Sequence, residues 1–213
     1  MRLDFPGITT TLEQDALVLH SQQPLQVLSS AVVGGGFTRS QWILSRHVPK
    51  YYRHDDPATD LQAFARRLGI TPPFVGLMTA VSLHKARAVT VRAAGLTATA
   101  VVTAGLSNPT TPGLCFPVAL PIGTINVTLL LDAALTPAAM VNAVITITEA
   151  KSAILRNQNV QTPAGDPATG TSTDAVVVAC TGRGVLLPYA GPVTLVGWLT
   201  GRCVRAALEA ALG

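Results

Sequence analysis

Residues 86–105, ARAVTVRAAGLTATAVVTAG, constrain the fold more than any other stretch. Val89, Val91 and Ala93 occupy alternate positions, and beyond Gly95 the pattern resumes at Leu96, Ala98, Ala100 and Val102. A period of two on both sides of Ala94-Gly95 predicts a β-hairpin, and consecutive hairpin strands pair antiparallel. Any sheet in this chain therefore has an antiparallel part.

Other segments extend the pattern. ALVLHS at 16–21 and LQVLSSAVV at 25–33 read as two strands joined around Gln23 and Pro24, the second stopping at Gly34, Gly35 and Gly36. That triple glycine does not complete a dinucleotide-binding pattern, so it reads as a turn. Further strands are expected at TINVTLLLD (124–132) and at 175–180, followed by a turn at Gly182-Arg183-Gly184. PATDLQAFARRLG (57–69) has Leu61, Phe64, Ala65 and Leu68 on one face and a terminating Gly69, which predicts an amphipathic helix. A short helical segment is expected over Val75 to Leu83.

The best-signalled helix is TPAAMVNAVITITEAKSAILRN, with Thr136 as N-cap and Pro137 in its first turn. Its expected buried stripe is Val141, Val144, Ile145, Thr148, Ser152 and Leu155, with Glu149 and Lys151 each about 80° to either side. Residues 157–173 form a long polar loop rich in Gly, Pro and Thr. A closing helix runs from about Pro192 to Leu212, with Val193, Gly197, Thr200, Val204 and Leu208 inward. The sum is an α+β fold: one domain over 1–213, its mixed or mostly antiparallel sheet covered by helices at 137–156 and 192–212.

Composition narrows the function classes. With 48% hydrophobic and 12% charged residues and a mean hydropathy of +0.42, a membrane span has to be tested. The stretch 114–131 is broken by Pro117, Pro121, Gly123 and Asn126, and the closing helix carries Arg202, Arg205 and Glu209. The opening residues include Asp4, Pro6 and Glu13, unlike a secretory signal, so a cytoplasmic protein without membrane partners is expected. The net charge of +4 is concentrated in RSQWILSRHVPKYYRHDD (39–56), where Arg39, Arg46, Lys50 and Arg53 mix with Trp42, Tyr51 and Tyr52. Asp55, Asp56 and Asp60 follow and no nucleic-acid motif is present, so the stretch reads as a solvated loop rather than a nucleic-acid surface. Cys115, Cys180 and Cys203 lack metal-type spacing and read as core residues, and His20, His47, His54 and His84 are scattered. No metal and no cofactor are expected.

The chemistry-bearing groups sit at the ends of apolar elements. They are Ser30 beside Ser29, Asn108 in TAGLSNPTTPG, Asn126 in GTIN, Glu149 and Lys151 in TEAK, and Thr171, Thr173 and Asp174 in GTSTDA. Such positions are where a sheet scaffold presents side chains to a cleft. Glu149 borders an apolar seam and so needs a partner or water. Lys151 has the charge to stabilise an oxyanion. Thr171 and Thr173 become nucleophiles only with a base in hydrogen-bond reach, and otherwise make a hydroxyl turn.

The blocks LSSAVVGGG, VTAGLSN, GTINVTLLLDAALTPAAMVNAVITITEAKSAIL, GTSTDAVVVA and YAGPVTLVGWLTGRCV, in that order, resemble the adenosylcobinamide amidohydrolase family from about Leu28 to Ala207. The resemblance implies hydrolysis of the amide linking aminopropanol to the corrin ring of adenosylcobinamide, giving adenosylcobyric acid for coenzyme B12 salvage. A corrinoid small molecule is then the partner. The placement of the polar groups suggests Glu149 or Asp174 as activator of water or of a Thr171 or Thr173 hydroxyl. Lys151 and Asn126 would stabilise the oxyanion, and Ser30 and Asn108 would position the substrate. A corrinoid-binding protein without hydrolytic activity remains the alternative, and homo-oligomerisation is open.

Overall fold

The computed structural model describes residues 1, 3–13, 15–116 and 123–213. Its strands are β1 (Ile8–Leu12), β2 (Ala16–Ser29), β3 (Gly36–His47), β4 (Phe74–Thr79), β5 (Arg87–Ala93), β6 (Leu96–Ala104), β7 (Pro109–Thr110), β8 (Ile125–Leu131), β9 (Ala134–Leu135), β10 (Gly170–Thr171), β11 (Ala175–Cys180) and β12 (Leu186–Leu187). The helices are α1 (Pro57–Arg67), α2 (Pro137–Asn157) and α3 (Leu195–Leu212). Pro117 and Pro121, which interrupt the apolar stretch 114–131, lie outside the described residues.

One eight-stranded sheet organises the chain in the order β4-β3-β2-β11-β8-β6-β5, with β1 added to β2. The pairs β3/β4 and β8/β11 are parallel and the other neighbours antiparallel. The fold is α+β with a mixed sheet, as expected. The hairpin β5–β6 turns at Ala94 and Gly95, both with positive φ (46° and 79°), the geometry of a two-residue turn that follows strand twist.

The two faces of the sheet bury different clusters. On one, α2 and α3 cover β11, β8, β6 and β5 through Val127, Leu129, Ile147, Ile154, Leu199 and Cys203, while α1 packs Leu61 and Ala65 over Leu44 and Phe74 near the other edge. The opposite face curls inward over Leu17, Leu19, Ile43, Leu77, Val101 and Leu130. The curl brings β4 close enough for Asn126 Nδ2 of β8 to donate to the Met78 carbonyl at 2.9 Å. Cys180 and Cys203 are fully buried, and burial pushes both thiols up to about 12, which keeps them out of thiolate chemistry.

Four local expectations are corrected. Residues 16–21 and 25–33 do not form two strands: β2 runs unbroken to Ser29, and the register shift between His20 and Leu25 absorbs Gln22, Gln23 and Pro24 as an irregularity. Pro24 is tolerated there because a bulge needs no ladder N–H. In the supposed solvated loop at 39–56, residues up to His47 belong to strand β3, whose consecutive residues Ile43 and Leu44 enter different clusters on its two faces. The segment 75–83 is not helical: FVGLMT is β4, and a short apolar run buried on both sides carries no readable period. In α2 the buried positions are Ala139, Met140, Ala143, Thr146, Ile147, Ala150, Ile154 and Leu155, whereas Val141 and Ile145 are about half exposed. Small side chains alternate with bulky ones on the core face, Ala139, Ala143 and Ala150 beside Met140, Ile147 and Ile154, because α2 is packed against both α3 and β11.

Among the described residues, α2 alone is long and apolar enough to cross a bilayer, and 44% of its apolar window is buried in the protein. In α3, Val193 lies outside the helix and is exposed. Thr194 is the N-cap, its hydroxyl accepting from Gly197 N at 3.1 Å. At Gly197 a Cβ would stand 1.9 Å from the Gly191 carbonyl oxygen and 2.6 Å from that of Ala190. Both are backbone atoms, so the clash outweighs the roughly 1 kcal/mol helix-propensity gain of alanine. Gly197→Ala is expected to lower unfolding stability by about 2 kcal/mol in a denaturant titration. A rise in stability would mean that the 190–194 turn yields freely.

Candidate active site

The parallel pairing of β8 with β11 and the antiparallel pairing of β11 with β2 put three chain ends on one edge of the sheet. They are the C-terminus of β2 with Ser29 and Ser30, the N-terminus of β8 with Ile125, and the N-terminus of β11 with Asp174 just before it. The β7–β10 pair draws Asn108 and Thr171 to the same edge, with Thr171 opposite Pro109. Over it lies α2, from which Lys151 reaches down.

Asp174 is the hub. Its Oδ1 accepts from Ile125 N at 2.9 Å and from the Thr171 hydroxyl, and its Oδ2 accepts from Thr171 N at 3.1 Å and from the Lys151 ammonium. Side-chain exposure is 12% for Lys151 and 13% for Asp174, so water screens the pair little. An ionised carboxylate has about four acceptor sites, and four donors fill them. Gly170 makes the approach feasible, because a Cβ there would lie 2.6 Å from Asp174 Oδ2 and 2.7 Å from Lys151 Nζ.

Thr171 is 8% exposed, and its hydroxyl also lies 3.1 Å from the Gly123 carbonyl oxygen. Thr173 is exposed and donates to that same carbonyl at 2.8 Å, while its own C=O accepts from Thr124 Oγ1 at 2.8 Å. The Ser30 hydroxyl accepts from Val176 N at 3.0 Å, leaving its proton free of any acceptor among the described residues.

Ser30, Lys151 and Asp174 share one cavity of about 390 Å³, whose apolar wall includes Leu28, Val141, Val144 and Val176. Val141 and Val144, which lie outside the buried stripe of α2, thus have a place: they wall this cavity. A polar floor under apolar walls is the usual make-up of a small-molecule site.

The other expected site residues are placed differently. Asn126 is 3% exposed and points to the inward-curled face, with Oδ1 accepting from Thr124 Oγ1 at 2.9 Å as Nδ2 bonds β4. Asn108, 1% exposed, donates through Nδ2 to Ser172 Oγ, and its Oδ1 has no partner among the described residues. Glu149 lines a separate groove between α2 and α3 with Trp198, Arg202 and Arg205, and so is not brought to Lys151 and Asp174. Sequence reasoning missed Gly170 and the walls Leu28, Val141, Val144 and Val176. For Gly170 the signal was its position immediately before the Thr-Ser-Thr-Asp cluster. Among the described residues no three His, Cys, Asp or Glu side chains converge in a way that would hold an ion.

Comparison with known proteins gives a consistent match. The family model for adenosylcobinamide amidohydrolase covers residues 6–213. The adenosylcobinamide amidohydrolase of Methanosarcina mazei is 33% identical over 177 residues, spanning 79% of this chain and 80% of that protein. The protein of the same name from Halobacterium salinarum is 38% identical over 190 residues, 84% of this chain and 76% of its own length.

Proposed function

The chain belongs to the adenosylcobinamide amidohydrolase family, and from that membership we propose that it hydrolyses the aminopropanol amide of adenosylcobinamide. The products are free aminopropanol and adenosylcobyric acid, which re-enters coenzyme B12 salvage. Residues 1–213 act as one catalytic domain. The observation that carries the reading is the nearly buried Lys151–Asp174 pair on the floor of an apolar cavity at the ends of β2, β8 and β11.

In the proposed mechanism the scissile carbonyl oxygen points to the Lys151 ammonium, which has N–H groups to spare beyond the one given to Asp174. Attack by water places negative charge on that oxygen, and a fixed ammonium in a site of low polarity stabilises it far more than bulk water would. Ser30 donates its free proton to a carbonyl of the substrate and fixes its position. Asp174 holds Lys151 in place and receives the proton of the attacking water. For this an acceptor site must open, and Thr171 opens it: its hydroxyl turns from Asp174 to the Gly123 carbonyl, already 3.1 Å away. The proton then passes to the leaving nitrogen, so that an amide and water become a carboxylic acid and an amine. Thr173 supports the wall by holding the 171–174 segment to Gly123, Asn108 ties that segment to the start of β7 through Ser172, and Asn126 ties the start of β8 to β4. We place the reaction in the cytoplasm, where three unpaired cysteines stay reduced.

Incubation of the purified protein with adenosylcobinamide is expected to release one aminopropanol per corrinoid, detected by amine derivatisation and mass spectrometry, with undiminished rate in EDTA. A shift of the corrinoid spectrum without aminopropanol release would establish a binder and end the hydrolytic reading.

A further inference from the structure

The cavity takes an amide arm but is too small for a corrin macrocycle, so the ring needs a surface beside it. We propose that the uncovered strip of β2 and β3 between α1 and α2 is that surface, with Phe37 and the stacked His20–Trp42 pair at its two ends. The proposal rests on the corrinoid amide reading above and assigns the part of the substrate that the cavity leaves out.

Register places the strip. Leu28 pairs with Phe37, Gln26 with Arg39 and His20 with Trp42, and directly opposed residues of antiparallel strands share a face. Leu28 packs against the cluster under α2, and Trp42 packs against the cluster under α1. These residues therefore all belong to the helix-bearing face, in the gap that neither helix covers. Phe37, the second residue of β3, is 58% exposed there, a large aromatic left open to solvent beside the cavity wall. His20 and Trp42 stack with ring centroids 3.9 Å apart and planes 18° apart, so the far end carries a packed pair of aromatic rings.

The strip is continuous with the cavity, because Leu28 is both a wall of that cavity and the cross-strand neighbour of Phe37. From Phe37 to Trp42 the strand covers about 16 Å, at about 3.3 Å per residue, which matches a flat macrocycle with amide-bearing arms. Arg39, exposed, and Gln26, half-buried, stand between the aromatic ends and supply donors for those arms. The substrate class is thus set in two parts: an aromatic and donor-lined strip for a broad planar ring, and a narrow cavity for one arm.

The test is Phe37→Ala, a change at an exposed side chain, checked for native circular dichroism. Affinity for adenosylcobyric acid, which has the ring but lacks the scissile arm, is expected to fall about tenfold in equilibrium dialysis. KM for adenosylcobinamide should rise by a similar factor while kcat stays within about twofold, the pattern for loss of binding shared by ground and transition states. Arg39→Ala should show the same pattern at about threefold. Unchanged affinity and KM in both variants would overturn the strip, as would a Phe37→Ala protein whose only change is loss of self-association. Failure of the wild-type protein to release aminopropanol, with ring affinity still lowered by Phe37→Ala, would sink the hydrolytic reading and keep the strip.

Discussion

Lys151→Met should lower kcat for aminopropanol release by about 10²–10³-fold, the usual effect of removing one donor to a developing oxyanion, with KM within about threefold. Methionine keeps an unbranched apolar stem and is one atom shorter than lysine, so the cavity largely retains its shape while the charge disappears. The loss falls on kcat because the ammonium meets full negative charge only in the tetrahedral state. The same substitution leaves Asp174 with three donors, Ile125 N, Thr171 N and the Thr171 hydroxyl, so the 171–174 turn persists. A variant that retains wild-type kcat would remove Lys151 from the chemistry. A variant that loses KM alone would make it a substrate anchor.

Asp174→Ala should be the most destabilising substitution in the site, at about 3–5 kcal/mol in a urea titration, because it strands a nearly buried ammonium and two backbone N–H groups. At 12% side-chain exposure Lys151 has little water to turn to. The cause is separable by a double substitution. If the stranded charge dominates, Lys151→Met in the Asp174→Ala background restores a large part of the loss, so the two changes are far from additive. Additive losses would mean that the carboxylate acts through the Ile125 and Thr171 amides alone. That outcome would limit Asp174 to holding β8 and β10 against each other.

The elements legible in the sequence were those whose local chemistry and tertiary setting agree. Thr136-Pro137 started α2, the turn at Ala94-Gly95 closed β5–β6, and Ala175–Cys180 matched its strand end for end. The misreadings occurred where burial on both faces erased the period, as in β4, or where charged residues alternated with core positions, as in β3. The stripe of α2 failed for a different reason. Val141, Val144 and Thr148 have the spacing of a core face and instead wall the cavity, a distinction that periodicity does not carry. In the site, Lys151, Asp174, Thr171 and Ser30 were visible as polar residues at element ends, and strand pairing brings them together. Glu149 sat only two residues from Lys151, and the helix turns it into another groove. Asn126 lay at the right strand end but on the wrong face, since neighbouring strand residues point oppositely.

The position of β11 in the sheet also governs when this enzyme comes into being. β11 lies between β2 and β8, antiparallel to one and parallel to the other, and it is the last strand of the large sheet in chain order. Until the ribosome has delivered residue 180, β2 and β8 each have an open edge, and Asp174 has neither the Ile125 amide nor the Lys151 ammonium in place. Contacts of such long sequence separation form slowly, because loop closure must precede any gain from pairing. Sealing the sheet and bringing Asp174 to Ile125 and Lys151 are therefore a single folding event. Partly folded chains that lack β11 carry unpaired strand edges prone to association.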